Sequence, residues 1–257
     1  MRKHLAGQAE TELVENKLRQ NRKHWTYTQY KVHSDSYHRQ MCSHYQALKS
    51  PESWKSVFGV QLPLQLEKTD LWPGYEGAFV RNADSGTTES TKEAVTGLFG
   101  LVPHWAESLK ICRSTFNARS ETVGSKPSFR DAWRTGKRCI IPAEAIFEPD
   151  WRSGKAISTR ITRRDEQPMG IAGLWSSWRS LEAGIVHSFT MLTINADKHE
   201  LMNKLHKPTD EKRMVVILPE SDFDAWLTVE ASQSSQFLLP YPAELLRADN
   251  AMRPTTQ

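Results

Sequence analysis

Cys42 has the most distinctive chemical potential in this sequence, because it follows a methionine, Met41, and precedes a small residue, Ser43. A chain that began at Cys42 would carry an α-amine next to a thiol. An α-amine is much less basic than a lysine side chain, so more of it is neutral and nucleophilic near pH 7. Such an amine forms an imine with an aldehyde, and the adjacent thiolate can then close a ring. The local sequence by itself favours an ordinary buried or incidental cysteine.

Three further segments supply side chains suited to a reactive site on a phosphate-bearing substrate. Asn117 can both donate and accept hydrogen bonds, and Arg119 offers a two-pronged fork for a phosphate. Glu148 ends an apolar run, where a carboxyl can serve as acid or base, and His206 stands just before another apolar run. Each residue could instead have a purely structural role. Asn117 would then lie in a turn, Arg119 would form a surface salt bridge, Glu148 would end a strand and His206 would cap a helix. The residues alone therefore indicate only a possible Cys/His/Glu site.

The elements that must position these residues are mostly short strands. Helices are predicted after Ser50, with Pro51 at the first helical position, from Ser128, over 197–205 and near Glu220. Strands are predicted at 95–102, 138–141, 155–161, 169–178, 185–194 and 214–218. Short strands with inserted helices predict the α+β class and a single compact β-rich domain.

Charge and pattern separate the first 40 residues from the rest. Residues 1–40 hold eight Lys/Arg against four Asp/Glu, which accounts for the whole net charge of +4. They show no sustained helical or strand period, so we expect a disordered leader or a mis-assigned start, and a domain over 41–257. Residues 110–164 hold 13 Lys/Arg against five Asp/Glu. That basic block fits a groove that follows a phosphate backbone or, equally, a solvated surface.

Composition also excludes several classes of protein. No apolar run reaches the roughly 18–20 residues that span a bilayer, and the first residues lack the apolar stretch of a secretory signal. The three cysteines, Cys42, Cys112 and Cys139, form neither a CxxC pair nor an even framework. We therefore expect a cytoplasmic protein with no structural zinc, no other metal and no cofactor.

The order of several segments resembles the SRAP (SOS response-associated peptidase) family of abasic site processing proteins. Each segment is weak alone, but their co-occurrence in this order between Met41 and about Leu227 is specific. The segments are Met41-Cys42, Trp72-Pro73-Gly74, Gly100 to Trp105, Asn117 to Thr122, Arg138 to Ala143 with Phe147-Glu148, and His206 with Arg213 to Leu218.

The resemblance implies a compact β-rich SRAP fold with a groove for single-stranded DNA. Cys42 would be the nucleophile, using its amine and thiol to form a thiazolidine with the ring-opened abasic sugar. Asn117 would position the amine and the sugar. Glu148 would move protons during imine and ring formation. His206 would serve the aldehyde and the Schiff-base step, and would permit β-elimination or reversal.

The resemblance also implies DNA contacts and points to departures from the family pattern. Arg119 would grip a phosphate and Trp105 would line the groove where a base stacks. The family usually has an arginine where this chain has His44, which leaves His44 as the DNA-binding residue there. The loop after His206 is longer than in the family, because 207–211 follows His206 here whereas an Asp-Arg pair follows directly in the family.

The function implied is an abasic-site DNA–protein crosslinking enzyme of the SOS and DNA damage response, with lyase-like and self-processing peptidase activity. The expected partner is single-stranded DNA with abasic sites, bound by a monomer near the nucleoid. Two alternatives stay open: a non-covalent single-stranded DNA-binding module with an inert Cys42, and a thiol peptidase that acts on other proteins. With residues 1–41 attached, Cys42 has no free amine, so the active form is expected to begin at Cys42.

Overall fold

A computed structural model of the chain describes residues 43–62, 68–83, 91–180 and 184–250. The predicted leader and Cys42 lie outside the described residues. Residues 179–186 fall in a separate unit, so the account below concerns 43–178 and 187–250.

Strands dominate the described residues. The strands are β1 (His44–Ala47), β2 (Asp70–Leu71), β3 (Glu76–Asn82), β4 (Lys92–Phe99), β5 (Asn117–Arg119), β6 (Arg138–Asp150), β7 (Ile157–Arg163), β8 (Met169–Ser180), β9 (Gly184–Asn195), β10 (Arg213–Val215), β11 (Ile217–Leu218) and β12 (Leu246–Asn250). The α-helices are α1 (Pro51–Phe58), α2 (Arg130–Arg134) and α3 (Phe223–Thr228). Short 3₁₀ turns lie at Leu109–Ser114, Met202–Lys204, Glu220–Asp222, Ser234–Phe237 and Ala243–Leu245. The predicted β-rich α+β fold is confirmed.

Five strands close into a barrel in the order β8, β9, β4, β3, β6, and β6 pairs again with β8. The β4–β9 pair is parallel, whereas β3 is antiparallel to β4 and β6. Closure leaves no exposed edge within the ring, which protects these apolar strands from pairing with other chains. The remaining strands extend the sheet on either side of the ring.

Aromatic rings fill the inside of the barrel. Phe189 lies 5.4 Å from Phe79 and 5.6 Å from Phe99, and all three are fully buried. Tyr45 of β1 packs edge-on against Phe99, with ring centroids 5.1 Å apart. Gly77 of β3 makes room for this packing, because a Cβ there would stand 2.6 Å from the Tyr45 hydroxyl. Interlocked rings of this kind give the core its large apolar burial.

Strand β6 connects the barrel with the candidate site. Its first half, Arg138 to Ala143, pairs with β8 inside the ring. Its second half pairs instead with β1 on one side and with β7 on the other, over Ile146 to Asp150 with β7. The prediction of a strand over 138–141 was therefore too short, and Glu148 lies within β6 rather than after it.

The structure confirms one helix start that the sequence predicted and corrects two other helix predictions. The Ser50 cap is confirmed, because its Oγ accepts the backbone N–H of Ser53 at 3.1 Å. The prediction at Ser128 was wrong by two residues, since α2 begins at Arg130. The helix predicted over 197–205 was also wrong. The ring of His199 there accepts the N–H groups of two following residues and diverts the backbone from a continuous helix. Within the part of the chain that the structure describes, no helix is long and apolar enough to cross a membrane.

Candidate active site

Glu148 and His206 are brought into contact by the fold. Both are buried, and His206 Nδ1 lies 3.5 Å from Glu148 Oε2. The backbone of the histidine segment is fastened to the end of β6, because the N–H of His206 donates to the carbonyl of Pro149 at 2.7 Å. Leu205 forms a further bridge to Asp150. Two residues that the sequence nominated separately therefore form one pair.

A hydrogen bond of the His206 ring fixes which of its nitrogens faces the carboxyl group. His206 Nε2 lies 2.9 Å from the carbonyl oxygen of Arg213, which can only accept, so Nε2 carries a hydrogen. The other ring nitrogen, Nδ1, faces Glu148 Oε2 at 3.5 Å. An imidazole and a carboxyl group are side-chain types that serve as general acids and bases.

His206 also has an unusual backbone conformation, with φ at 64°. Left-handed backbone is costly for a residue with a side chain and persists where surrounding contacts enforce it. Here the enforcing contacts are the hydrogen bonds to Pro149 and Arg213 described above. The imidazole is thus held in one orientation toward Glu148.

Arg213 is a site residue to which the sequence gave no role. It is buried, and its two terminal nitrogens donate to both carboxylate oxygens of Glu121 at 2.7 and 2.9 Å. It also donates to the carbonyl of Thr193 on β9 at 2.8 Å. The Arg213 guanidinium holds the pKa of the Glu121 carboxyl below its usual value, chiefly through this hydrogen bond. An arginine at the start of the apolar run 214–218 was the one sequence signal available for it.

Asn117 and Arg119 share the short strand β5, which runs parallel to β9. Residues two apart on a strand point to the same face, so the two side chains share one side of β5. Arg119 is half-exposed, and its Nη1 lies 2.9 Å from Glu211 Oε2. The other oxygen of Glu211 lies 2.9 Å from Arg213 Nη1. Arg119 is therefore joined to the His206 region through Glu211 and Arg213.

His44 lies within a stack of three aromatic rings. Its ring centroid is 4.3 Å from that of Trp72 and 4.0 Å from that of Phe147, with interplanar angles of 9° and 10°. Its Nε2 donates to Asp70 at 3.0 Å. Burial lowers the pKa of His44 from its usual value, and the contact with Asp70 opposes that shift. Trp72 is 37% exposed, so the stack presents an aromatic face to solvent beside the strand that carries Glu148.

Trp105 lies on the loop that follows β4 and is 47% exposed. Its neighbour His104 approaches Asp131 of α2 at 3.7 Å. The loop is held to the body of the protein by Trp178, whose indole N–H donates to the carbonyl of Ala106 at 2.7 Å. The structure therefore presents Trp105, nearly half exposed, on an anchored loop.

A cavity of about 340 Å³ lies elsewhere, between the end of β1, the start of α1 and β7. Arginine, glutamate and serine side chains line it, and it includes none of the described residues that the sequence predicted for the site. We therefore locate the candidate site on the Glu148–His206 pair rather than at this cavity. Among the described residues, no group of three or more His, Cys, Asp or Glu side chains is arranged to hold a metal ion.

Sequence comparisons place the chain among known relatives. The abasic site processing protein YobE of Bacillus subtilis is 35% identical over 58% of this chain and 67% of its own length. YoaM of the same organism is 33% identical over 70% of this chain and 78% of its own length. The abasic site processing protein HMCES of Pongo abelii is 25% identical and is matched over 53% of its length.

Solved structures show the same fold. A protein from Bordetella bronchiseptica superposes with a TM-score of 0.75 at 45% identity, covering 82% of this chain and all of that one. A protein from Bacteroides thetaiotaomicron, at 23% identity, shares the fold with a TM-score of 0.68 over 83% of this chain and 93% of that one. The family model described as SOS response associated peptidase (SRAP) matches residues 41–253. The resemblance seen in the sequence is confirmed, and this chain belongs to the SRAP family.

Proposed function

We propose that this protein processes abasic sites in single-stranded DNA and that Cys42, as the N-terminal residue, forms the covalent bond. The observation that carries the proposal is the buried Glu148–His206 pair, in which an imidazole nitrogen faces a carboxyl oxygen. The names of the relatives support the substrate, since YobE, YoaM and HMCES are each called abasic site processing proteins.

The register of β1 supports the assignment of Cys42 to this pair. His44 is paired with Phe147 in an antiparallel ladder, so the chain that precedes His44 runs toward the position of Glu148. We propose that Cys42, two residues before His44 in the sequence, acts at this end of β6.

The chemistry needs the proton that the pair supplies. The α-amine of Cys42 attacks the aldehyde carbon of the ring-opened sugar, and the resulting hydroxyl leaves as water once it receives a proton. The thiol sulfur then adds to the imine carbon, and the thiol proton passes to the nitrogen. One water is lost and nothing is oxidised or reduced. Glu148 and His206 donate and recover the proton, and Asn117 positions the amine and the sugar.

Three described residues are proposed to contact the DNA. Arg119 binds a backbone phosphate, because its guanidinium is half-exposed at the edge of the site. Trp105 and the stack containing His44 offer exposed aromatic faces for unpaired bases, and stacking of this kind tolerates any base.

Self-processing follows from the same thiol. When a peptide bond precedes Cys42, the thiol can attack the carbonyl of Met41, which moves the acyl group to sulfur and frees the α-amine. Water then hydrolyses the thioester and releases the preceding segment. Initiation at Met41 with ordinary methionine removal is the simpler route to a chain that begins at Cys42, and this self-cleavage is the alternative.

Crosslinking to an abasic oligonucleotide tests the proposal. Protein that begins at Cys42 is incubated with single-stranded DNA containing one abasic site, and the mixture is resolved on a denaturing gel without borohydride. A stable adduct is expected, because a thiazolidine survives denaturation whereas an unreduced imine does not. An undamaged oligonucleotide is the control. A complex that survives only on a native gel identifies a non-covalent binding module instead, and cleavage of unrelated peptides identifies a thiol peptidase.

A further inference from the structure

Glu211 uses one carboxylate to contact two arginines of the candidate site. Its Oε2 lies 2.9 Å from Arg119 Nη1, and its Oε1 lies 2.9 Å from Arg213 Nη1. A phosphate bridging two arginines presents two anionic oxygens in the same way. Glu211 belongs to the loop 207–212, between His206 and β10.

The loop is built so that Glu211 is held at this place. Lys212 Nζ donates to the carbonyls of Lys207 at 2.7 Å and His206 at 3.3 Å, which closes the loop on itself. The backbone N–H of Lys212 donates to Asp197 at 3.1 Å. A turn bond from the N–H of Asp210 to the carbonyl of Lys207 completes it at 2.9 Å. Asp210 and Lys212, the two neighbours of Glu211 in the chain, are thus both held by hydrogen bonds.

We propose that Glu211 is an internal competitor for DNA phosphate, which occupies the anion position on Arg119 until DNA displaces it. This inference rests on the proposed function, because it takes Arg119 to be a phosphate contact. Glu211 then lowers the affinity of Arg119 for anions. A phosphate in a polyanionic strand displaces Glu211, whereas an isolated anion binds Arg119 too weakly to displace it.

The contacts around the two arginines allow the displacement. Glu211 and Arg119 are both partly exposed, at 39% and 49%, so the glutamate side chain can turn into water. Arg213 stays buried, but it keeps both oxygens of Glu121 and the carbonyl of Thr193 when Glu211 leaves. No buried charge is left without a partner, so the exchange avoids the large cost of breaking a buried ion pair.

Non-covalent binding of the full 257-residue chain tests the inference, with fluorescence anisotropy of a labelled, undamaged oligothymidylate as the readout. Glu211→Gln should bind roughly two- to fivefold more tightly than wild type, the factor that corresponds to a surface ion pair. The slope of log affinity against log salt should stay within about 0.3 of the wild-type slope, because Arg119 neutralises the same phosphate in both complexes once Glu211 has been displaced. Asp210→Asn is the matched control, since it removes the same charge from the same loop and should change neither quantity.

Two further variants distinguish the loss of the Glu211–Arg119 contact from the loss of the negative charge of Glu211. Glu211→Asp keeps the loop charge but retracts the carboxylate, so it should also tighten binding. In an Arg119→Ala background, Glu211→Gln should give no gain. Thermal unfolding checks that each variant is folded. The inference that Glu211 competes with DNA phosphate is refuted if Glu211→Gln and Asp210→Asn change the DNA affinity equally. It is also refuted if Glu211→Gln still tightens binding in the Arg119→Ala background. The proposed function is overturned as well if the wild-type 257-residue chain does not bind the oligothymidylate and protein that begins at Cys42 forms no adduct with abasic DNA.

Discussion

Replacing Glu148 by glutamine removes the proposed acid–base group while keeping the shape of the buried pair. The Glu148 side chain is fully buried against His206, so its replacement must satisfy His206 Nδ1 from inside the protein. A glutamine amide can donate a hydrogen bond to Nδ1, and Nε2 keeps its bond to the carbonyl of Arg213. The variant therefore retains the packing and loses the acid–base function.

The expected magnitudes differ sharply for rate and stability. Loss of a positioned acid–base group should slow crosslinking by roughly 10²–10⁴-fold. The free energy of unfolding should change by about 1 kcal/mol or less, because the hydrogen bond is exchanged rather than lost. For a domain of this size that corresponds to a shift in Tm of roughly 2–4 °C.

Single-turnover crosslinking of protein that begins at Cys42 measures the rate, with excess protein over an abasic oligonucleotide and denaturing gels as the readout. Glu144→Gln is the matched control. Glu144 lies on the same strand, and its carboxylate accepts the backbone N–H of Lys49 at 3.1 Å, at the other end of β1. Glu144→Gln should crosslink at the wild-type rate. Glu148→Gln protein that is folded and crosslinks as fast as wild type would refute the acid–base role.

Three other predictions follow from the proposal and the structure. Cys42→Ala should abolish the denaturation-resistant adduct and leave non-covalent DNA binding within about twofold, so a stable adduct from that variant contradicts the aminothiol mechanism. The 257-residue chain should form no adduct until residues 1–41 are removed, since an amide nitrogen cannot attack an aldehyde; intact mass spectrometry of chain and adduct decides this, and an adduct that retains Met1 and is bonded through Cys42 overturns it. Because burial lowers the pKa of His44, the unfolded chain binds the proton more readily, so stability should be unaffected above about pH 6.5, should fall as pH drops below that value, and should level off below the lower folded pKa. Thermal unfolding of wild type and His44→Phe between about pH 4.5 and 8 checks the sign, and an equal decline in both assigns the loss to other groups.

The sequence by itself determined whatever depends on neighbours along the chain. The Ser50 cap was predicted because capping involves residues three apart, and the structure has it. The ordered motifs indicated the family, which the family model over 41–253 confirms. The sequence also nominated Glu148 and His206 individually, as groups whose types suit proton transfer.

The tertiary structure decided which side chains meet. Glu148 contacts His206 only because the end of β6 receives the backbone of the segment around Leu205. Arg119 acquired Glu211 as its partner through a loop that folds back from β10, and no spacing in the sequence predicts that pairing. The helix predicted over 197–205 fails for the same reason: His199 donates through Nε2 to the carbonyl of Tyr241, far along the chain, and so its ring is held against the backbone. Pairings between distant segments depend on strand register and loop closure, which local propensity does not encode.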